Sequence, residues 1–186
     1  MCGIAGEVSF NGSVIKNKDS YLKMQKVLAP RGPDQNGIYI NDNVALIHTR
    51  LAVIDVENGL QPMTVKYDDK TFTIVYNGEL YNTEEIRNKL INLGHRFNTN
   101  SDTEVVLRAY VEWQDICVEK FNGIFAFAIW DEAKKQLFFA RDRIGVKPLF
   151  YSIKNQSFIF ASEIKALLEH NYIEPIIDEE SIAEIM

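Results

Sequence analysis

The segment from Ile124 to Trp130 constrains the fold more than any other part of the chain, because every one of its residues is apolar. A strand of this composition must bury both of its faces. A polar turn is predicted over 131–135, and Leu137 to Ala140 then returns as the second strand of an antiparallel hairpin. An antiparallel sheet usually leaves one face in water. Burial of both faces therefore predicts a sheet between two layers, such as a second sheet and a layer of helices.

Most of the remaining chain consists of short predicted strands, interrupted by segments with the apolar spacing of helices. One helix is predicted over 18–28. A second is predicted over 83–93, with Gly94 as its C-terminal cap. A third begins near Asp102, where residues 101–104 have the spacing of a capping box. Short strands are predicted at 4–10, 37–40, 44–48, 64–67, 72–76, 149–152 and 158–161, and short helices at 162–168 and 178–186.

Composition excludes several classes of protein. The 186 residues carry a net charge of −6 without a dense cluster of Lys and Arg, which disfavours nucleic-acid binding. No apolar run is long enough to cross a bilayer, and the N-terminus lacks the features of a secretion signal. With Cys2 and Cys117 as the only cysteines, we expect reduced thiols and a cytoplasmic protein. The three histidines are scattered, so no metal site is predicted.

Cys2 is the first residue that could carry chemistry. If Met1 is removed, Cys2 holds both a thiol and a free α-amine, and an α-amine with a pKa near ~7.7–8.0 can act as a base at neutral pH. The structural alternative is that a small apolar cysteine simply begins a buried strand. The short Met-Cys-Gly sequence does not decide between the two.

Four further residues could bind or polarise a small polar substrate. Arg50, at the end of a predicted strand, could grip a carboxylate with two parallel hydrogen bonds, or could form a surface ion pair. Asn77 and Gly78 could supply a side-chain amide and a backbone N–H to an oxyanion, although Asn-Gly is also a common turn sequence. Asp102 could receive a substrate ammonium group, or could only stabilise the first turn of its helix.

Two predicted loops, 31–34 and 141–148, are dense in charged residues, glycine and proline. Either loop could be no more than a turn pinned by an Arg–Asp pair. None of these segments is decisive alone, and the order in which they occur is more informative.

That order carries a family resemblance. The segments concerned are Met1–Ile4, Arg31–Asp34, His48–Asp55, Gln61–Met63, Tyr76–Asn82, Ser101–Glu104, Phe125–Asp131, Arg141–Leu149 and Phe160–Leu167. Over roughly residues 2–170 the chain resembles the N-terminal glutaminase domain of class II (N-terminal-nucleophile) glutamine amidotransferases, in the asparagine synthetase branch. No substitution occurs at a position that the family uses for chemistry.

The resemblance implies an α+β fold, a four-layer αββα sandwich of two antiparallel sheets with helices outside. It also implies that Cys2, after loss of Met1, is the nucleophile that attacks the side-chain amide of L-glutamine. Ammonia leaves, and a γ-glutamyl thioester remains on the thiol until water hydrolyses it to glutamate. By the same resemblance, Asn77 and the Gly78 N–H stabilise the oxyanion.

Glutamine is a zwitterion, and the resemblance assigns a group to each of its charges. Residues that match Arg50 and Asp102 bind the carboxylate and the ammonium of the substrate in the family. The full set of implied glutamine-binding residues is Arg50, Leu51, Val53, Ile54, Asn77, Gly78, Glu79 and Asp102. No metal or cofactor is implied for this domain, and ATP and Mg²⁺ are expected only in a synthetase domain.

The resemblance also divides the chain. We interpret residues 1–170 as the glutaminase domain and 171–186 as a linker into a C-terminal synthetase domain that these residues do not include. Besides that domain, the expected partners are L-glutamine and a second copy of the chain, with no nucleic acid and no membrane. In the linker we expect poor coverage of the apolar residues Ile176, Ile177, Ile182 and Ile185.

The leading hypothesis is a cytoplasmic glutaminase that supplies ammonia to an ATP-dependent synthetase, for asparagine. Two alternatives stay open: the same chemistry feeding a different acceptor, and a non-catalytic regulatory module with the same fold. An N-terminal-nucleophile peptidase or amidase is a third alternative, and it would not need the charges of Arg50 and Asp102.

Overall fold

The computed structural model describes residues 1–176, and its strands form two antiparallel sheets. The strands are β1 (Gly3–Ser9), β2 (Gln35–Ile40), β3 (Val44–Arg50), β4 (Met63–Tyr67), β5 (Lys70–Leu80), β6 (Gly123–Asp131), β7 (Gln136–Arg141), β8 (Phe150–Lys154) and β9 (Ser157–Ala161). The α-helices are α1 (Lys18–Leu28), α2 (Thr83–Asn92), α3 (Asp102–Trp113) and α4 (Ile164–Leu167). One sheet has the order β2-β3-β1-β9-β8, and the other has the order β4-β5-β6-β7.

Three apolar clusters separate four layers. Helices α1 and α4 pack on the outer face of the five-stranded sheet, around Tyr21 and Met24. Helices α2 and α3 cover the outer face of the four-stranded sheet, around Ile86 and Val106. Side chains of both sheets meet between them, with Trp130 among the largest that are fully buried. The predicted αββα sandwich is therefore confirmed.

Strand β6 explains why an entirely apolar segment is needed at this position. Phe125, Phe127 and Ile129 pack in the cluster beneath the helices. The alternate residues Ala126, Ala128 and Trp130 face the other sheet. Because successive side chains of a strand point to opposite faces, both faces are buried as predicted. The predicted hairpin is also confirmed, since Trp130 pairs with Leu137 of β7.

The N-terminal strand lies in the middle of its sheet. β1 pairs with β3 on one side and β9 on the other, with Gly3 opposite Thr49 and Ala5 opposite Ala161. Both neighbours hold the strand, so Cys2 is fixed at one end of the space between the sheets. The N-terminal end of α3 lies at this same end of the molecule, because Asp102 reaches the end of β5.

The third helix begins at the predicted residue, but its capping differs in part from the expected box. Ser101 Oγ accepts a hydrogen bond from the Thr103 amide at 3.0 Å, as a capping residue does. Glu104 does not return to the Ser101 amide. Its carboxylate accepts instead from the amides of Asn98 and Thr99, so it anchors the loop before the helix.

Sequence reasoning missed three 3₁₀ helices, 14–17, 29–31 and 114–120, and underestimated the length of β5. Ile176 is 74% exposed, as predicted. The predicted helix 178–186 and residues Ile177, Ile182 and Ile185 lie outside the described part of the chain. Within residues 1–176, no helix is both long enough and apolar enough to span a membrane.

Candidate active site

A cavity of about 210 Å³ opens where β1 begins and α3 starts. This volume is below the ~300–1,000 Å³ typical of pockets for drug-sized ligands, and it suits a small metabolite. The cavity brings together all nine residues predicted for the site, namely Cys2, Arg50, Leu51, Val53, Ile54, Asn77, Gly78, Glu79 and Asp102. Among the described residues, no group of three or more His, Cys, Asp or Glu side chains is arranged to hold a metal ion.

A second and larger cavity, of about 610 Å³, lies at the opposite end of the sheets. Its walls include Phe10, Trp130 and Phe158, and it contains no residue predicted to carry chemistry. The smaller cavity is the better candidate for an active site, because it combines a thiol with side chains of both charges.

The Cys2 thiol lies at the edge of the smaller cavity. Its Sγ is 3.7 Å from the Leu51 carbonyl oxygen, to which it donates. Burial raises the pKa of the Cys2 thiol above its ordinary value, so the thiol needs a base to react near neutral pH. The backbone of Cys2 is also held, because Arg31 Nε donates to the Cys2 carbonyl at 2.9 Å while Arg31 pairs with Glu163.

Asn77 faces the cavity from β5. The two residues before it, Val75 and Tyr76, point to opposite faces of the sheet, with Tyr76 beneath the helices and Val75 between the sheets. The alternation of a strand places the Asn77 side chain on the same face as Val75, and therefore toward β1 and Cys2. The side chain is 1% exposed, and its amide nitrogen has no hydrogen-bond partner among the described residues. A buried amide donor without a partner is suited to a ligand oxygen.

Close packing explains why glycine follows Asn77. A Cβ atom at Gly78 would lie 2.7 Å from the Ile124 carbonyl oxygen and 2.8 Å from Phe125 Cβ. Any larger residue would push β5 away from β6 and displace the neighbouring Asn77. The Asn-Gly pair thus belongs to a strand, and its interpretation as a turn is wrong.

Asp102 is the first residue of α3, and it is 6% exposed. Its Oδ2 accepts from the Tyr76 hydroxyl at 3.1 Å and from the Leu80 amide at 3.3 Å. Burial raises the pKa of the Asp102 carboxyl above its ordinary value, although these hydrogen bonds act in the opposite direction. A cationic group of a ligand beside this carboxyl would favour its charged form.

The contacts of Arg50 differ from the expected pair of parallel hydrogen bonds to a carboxylate. Its Nη1 donates to Gln35 Oε1 at 2.6 Å and to the Val56 carbonyl at 2.8 Å. Its Nη2 donates to the carbonyls of Ile54 and Asp55 at 2.9 and 2.7 Å. The terminal nitrogens therefore hold the loop 51–59, and within residues 1–176 only Nε makes no hydrogen bond. The interpretation of Arg50 as a surface ion pair is wrong, since the side chain is buried and bonds to carbonyl oxygens.

The two charged loops are not pinned by an Arg–Asp pair. Arg31 pairs with Glu163 rather than Asp34. In the second loop, the Asp142 carboxylate accepts from the amide of Lys147 at 3.0 Å, while Arg141 Nε donates to the Lys147 carbonyl at 2.6 Å. This loop thereby directs Lys147 to the wall of the cavity.

Sequence reasoning assigned no role to several other residues of the cavity wall. These are Met1, Gly59, Gln61, Tyr76, Ser101, Thr103 and Lys147. Gln61 and Tyr76 lie in segments that carry the family resemblance, and that resemblance is the signal by which they could have been assigned to the site. No local pattern indicates that the side chain of Gln61 reaches across to β5.

Comparison with known proteins identifies a matching family and several relatives of the chain. A family model described as a glutamine amidotransferase domain matches residues 1–186. Asparagine synthetase [glutamine-hydrolyzing] 3 of Bacillus subtilis is 50% identical over 185 residues, which cover 100% of this chain and 30% of that protein. Asparagine synthetase B of Escherichia coli is 35% identical, with 90% of this chain and 30% of that protein covered. The chain thus spans about a third of the length of these curated relatives.

The fold is also found among solved structures. A glutamine phosphoribosylpyrophosphate amidotransferase from B. subtilis, in complex with ADP and GMP, superposes with a TM-score of 0.74 at 21% identity. The match covers 89% of this chain and 43% of that one. At this level of identity the likeness establishes a shared fold.

Proposed function

The chain belongs to the glutamine amidotransferase domain family, and from this premise we propose that it hydrolyses L-glutamine to glutamate and ammonia at Cys2. The observation that carries the proposal is the composition of the smaller cavity. One cavity is lined by a thiol, an amide donor on Asn77 without a partner among the described residues, a guanidinium on Arg50 and a buried carboxylate on Asp102.

In the proposed reaction, the Cys2 sulfur attacks the side-chain amide carbon of glutamine. Removal of Met1 frees the α-amine of Cys2, which takes the thiol proton and later passes it to the departing nitrogen. The raised pKa of the thiol is the physical reason why such a base is needed. The C–N bond breaks, ammonia leaves, and a γ-glutamyl thioester remains. Water then attacks the thioester, which releases glutamate and restores the thiol.

Negative charge develops on the amide oxygen as the tetrahedral intermediate forms. The Asn77 amide is proposed to donate to this oxygen together with the Gly78 N–H. Each donor of this kind is typically worth about 2.7–4 kcal/mol of transition-state stabilisation. The lack of any partner for Asn77 Nδ2 among the described residues supports this role.

Two of the charged side chains that line the cavity are proposed to bind the α-amino and α-carboxylate groups of glutamine. Asp102 is proposed to bind the ammonium group. Arg50 is proposed to bind the carboxylate through Nε, with backbone groups of Leu51, Val53 and Ile54 at the wall of the cavity. Because the Arg50 terminal nitrogens fix the loop 51–59, this residue both attracts the carboxylate and shapes the pocket around it.

We further propose that the ammonia serves asparagine synthesis. The curated relatives carry the name asparagine synthetase and are about three times as long as this chain. A C-terminal synthetase domain would use ATP and Mg²⁺ to activate the carboxylate that accepts ammonia. A reaction with a different carboxylate acceptor remains the alternative. A cytoplasmic location is part of the same proposal and fits the two free cysteines.

The test has two parts. The purified protein is first measured by intact mass, to establish whether Met1 has been removed, and is then assayed for glutamate and ammonia formation from glutamine. Equal amounts of both products, lost in Cys2→Ala, are expected. Absence of hydrolysis by protein that has lost Met1 would overturn the proposal. The acceptor is tested by asparagine formation from aspartate, glutamine, ATP and Mg²⁺, with the proposed C-terminal synthetase domain joined to this chain.

A further inference from the structure

The side chain of Gln61 takes the place of a strand beside β5. In the β4–β5 pair, Met63 lies opposite Ile74, so the same register would put position 61 opposite Tyr76. Strand β4 begins only at Met63, and the backbone of Tyr76 therefore lies beyond its end. The Tyr76 amide donates to Gln61 Oε1 at 2.6 Å, and Gln61 Nε2 donates to the Tyr76 carbonyl at 3.2 Å. This reciprocal pair replaces the two bonds that a continuing antiparallel strand would supply.

The same amide also reaches helix α3. Gln61 Nε2 lies 3.2 Å from Thr103 Oγ1, and Thr103 is the residue that follows Asp102. A glutamine amide has two N–H donors, and here one serves the Tyr76 carbonyl and the other the Thr103 hydroxyl. The orientation of the amide is fixed because Oε1 must accept from the Tyr76 N–H.

The Tyr76 carbonyl receives a second bond from the opposite sheet. His48 Nε2 lies 3.1 Å from this oxygen. Burial lowers the pKa of His48 to about 4, so the ring is neutral at physiological pH. Since a carbonyl oxygen can only accept, Nε2 carries the proton. The peptide just before Asn77 is thus held by Gln61 at the sheet edge and by His48 across the space between the sheets.

We propose that Gln61 is a positioning residue that holds the Asn77 strand and the Asp102 helix at the spacing glutamine requires. Tyr76 links this strand to this helix, because its backbone precedes Asn77 and its hydroxyl donates to Asp102. Although Gln61 lines the cavity, both N–H groups of its amide are used within the protein, so it acts through Tyr76 and Thr103. This inference rests on the proposed function of the site.

Two substitutions distinguish the contact of Gln61 with Tyr76 from its contact with Thr103. Gln61→Met fills a similar space but removes every polar contact, so Asn77 and Asp102 are both released. We expect kcat to fall and KM to rise, with kcat/KM lower by roughly tenfold or more, as for the loss of buried hydrogen-bond partners. Thr103→Val removes only the link to α3 and should raise KM while kcat stays near the original value. Thr64→Val is the matched control, because the Thr64–Thr73 hydroxyl pair on β4 and β5 lies outside the cavity.

A third variant distinguishes positioning from the filling of space. In Gln61→Glu the ionised carboxylate has no donor for the Tyr76 carbonyl, whereas the protonated carboxyl group can donate one bond. The ratio of kcat/KM for Gln61→Glu to that for Gln61→Met should therefore increase as the pH is lowered. A ratio that is constant with pH would overturn the positioning role.

The remaining outcomes separate this inference from the proposed function. If the original protein hydrolyses glutamine and Gln61→Met matches it in kcat and KM, the inference is wrong. If Gln61→Met does not fold, as judged by near-UV circular dichroism, Thr103→Val decides, and an unchanged KM would overturn the inference. If the original protein hydrolyses no glutamine, amide hydrogen exchange at Tyr76 decides. Faster exchange in Gln61→Met, but not in Thr64→Val, would support the positioning role of Gln61, and equal exchange would overturn it.

Discussion

The hydroxyl of Tyr76 donates to Oδ2 of Asp102 across 3.1 Å, and both side chains are almost fully buried. The two residues lie on different elements, Tyr76 on β5 and Asp102 at the first position of α3. The carboxylate proposed to bind the substrate ammonium is therefore held by the residue that precedes the proposed oxyanion donor, Asn77. The two ends of a bound glutamine would be recognised by parts of the protein that are in direct contact.

This contact predicts a pH dependence of glutamine binding. The Tyr76 hydroxyl stabilises the charged form of Asp102, so Tyr76→Phe should raise the pKa of that carboxyl further above its ordinary value. Binding of the ammonium group needs the carboxylate and weakens as the pH falls through this pKa. We expect the weakening to begin at a higher pH in Tyr76→Phe, when affinities are measured by calorimetry in a Cys2→Ala background.

Tyr110→Phe is the control for this experiment, since Tyr110 is buried in the same apolar cluster and its hydroxyl makes no hydrogen bond within the described residues. It should leave the pH dependence of binding unchanged. Superimposable profiles for all three proteins would contradict a role of the Tyr76 hydroxyl in tuning Asp102.

Substitution of Cys2 tests the chemistry directly. Cys2→Ala should abolish glutamine hydrolysis without loss of the folded state, because only the attacking sulfur is removed. Cys2→Ser should be far weaker than the original protein, since a hydroxyl ionises much less readily than a thiol. Hydrolysis is measured by glutamate release. Cys117→Ala, which removes the other thiol of the chain, should retain activity. A folded Cys2→Ala protein with near-original turnover would exclude the mechanism.

The fold could be predicted from the sequence because its strongest signal, the apolar segment 124–130, admits few arrangements. A strand buried on both faces requires a layer on each side, and β6 has the second sheet on one side and the helices on the other. Helix α1 was predicted with its observed bounds, since its apolar spacing and the following proline are local features. The irregular 3₁₀ segment 114–120 has no comparable local signal.

The sequence predicts which residues form the site, but not how these residues contact one another. The resemblance assigns Arg50 to a carboxylate, but the four bonds from its terminal nitrogens to the loop and to Gln35 depend on how residues far apart in sequence meet. The same holds for Gln61, whose contacts with Tyr76 and Thr103 span 15 and 42 positions of the chain. Sequence patterns report local periodicity, and these contacts are products of the assembled fold.

Removal of either charged group should weaken glutamine binding. In a Cys2→Ala background, Asp102→Ala leaves the substrate ammonium unpaired, and Arg50→Ala does the same to its carboxylate. Because hydrogen bonds to charged groups contribute about 1.5–3 kcal/mol, we expect the affinity to fall roughly 10–100-fold in each case. Titration calorimetry measures the change. Unchanged affinity in both variants would place glutamine elsewhere.

Substitution of Gly59 tests the position of the Arg50 guanidinium without removing its charge. A Cβ atom at this position would lie 2.5 Å from Arg50 Nη2 and 2.9 Å from the Asp55 carbonyl oxygen. Gly59→Ala should therefore displace Arg50 and disturb the loop 51–59 while leaving every charge in place. We expect KM for glutamine to rise with a smaller change in kcat. Ala52→Gly, a change of one methyl group in the same loop, is the control, and equal kinetics for both variants would contradict this explanation.

The stability of the protein should depend on the charge of the buried Glu7, which lies on the strand that follows Cys2. Glu7 is 1% exposed and accepts hydrogen bonds from Tyr21, from Asn17 at 3.0 Å and from His170 at 2.9 Å. Burial by itself raises the pKa of Glu7, but the hydrogen bonds to His170, Ser157, Tyr21 and Asn17 outweigh it and lower the pKa to about 2. The network also ties the segment after α4 to β1.

A carboxyl group whose pKa is depressed by folding stabilises the folded state above its unfolded pKa, here about 4.5, and this contribution is lost as the pH falls toward 2. Glu7→Gln turns an amide N–H toward groups that already donate, so we expect the free energy of unfolding at neutral pH to drop by roughly 1–3 kcal/mol. Urea denaturation at neutral and acid pH measures this, and the difference from the original protein should shrink in acid. Glu119→Gln, at an exposed position, should show no such difference. A deficit for Glu7→Gln that is equally large in acid would mean that packing, rather than the charge of Glu7, stabilises this end of the sheet.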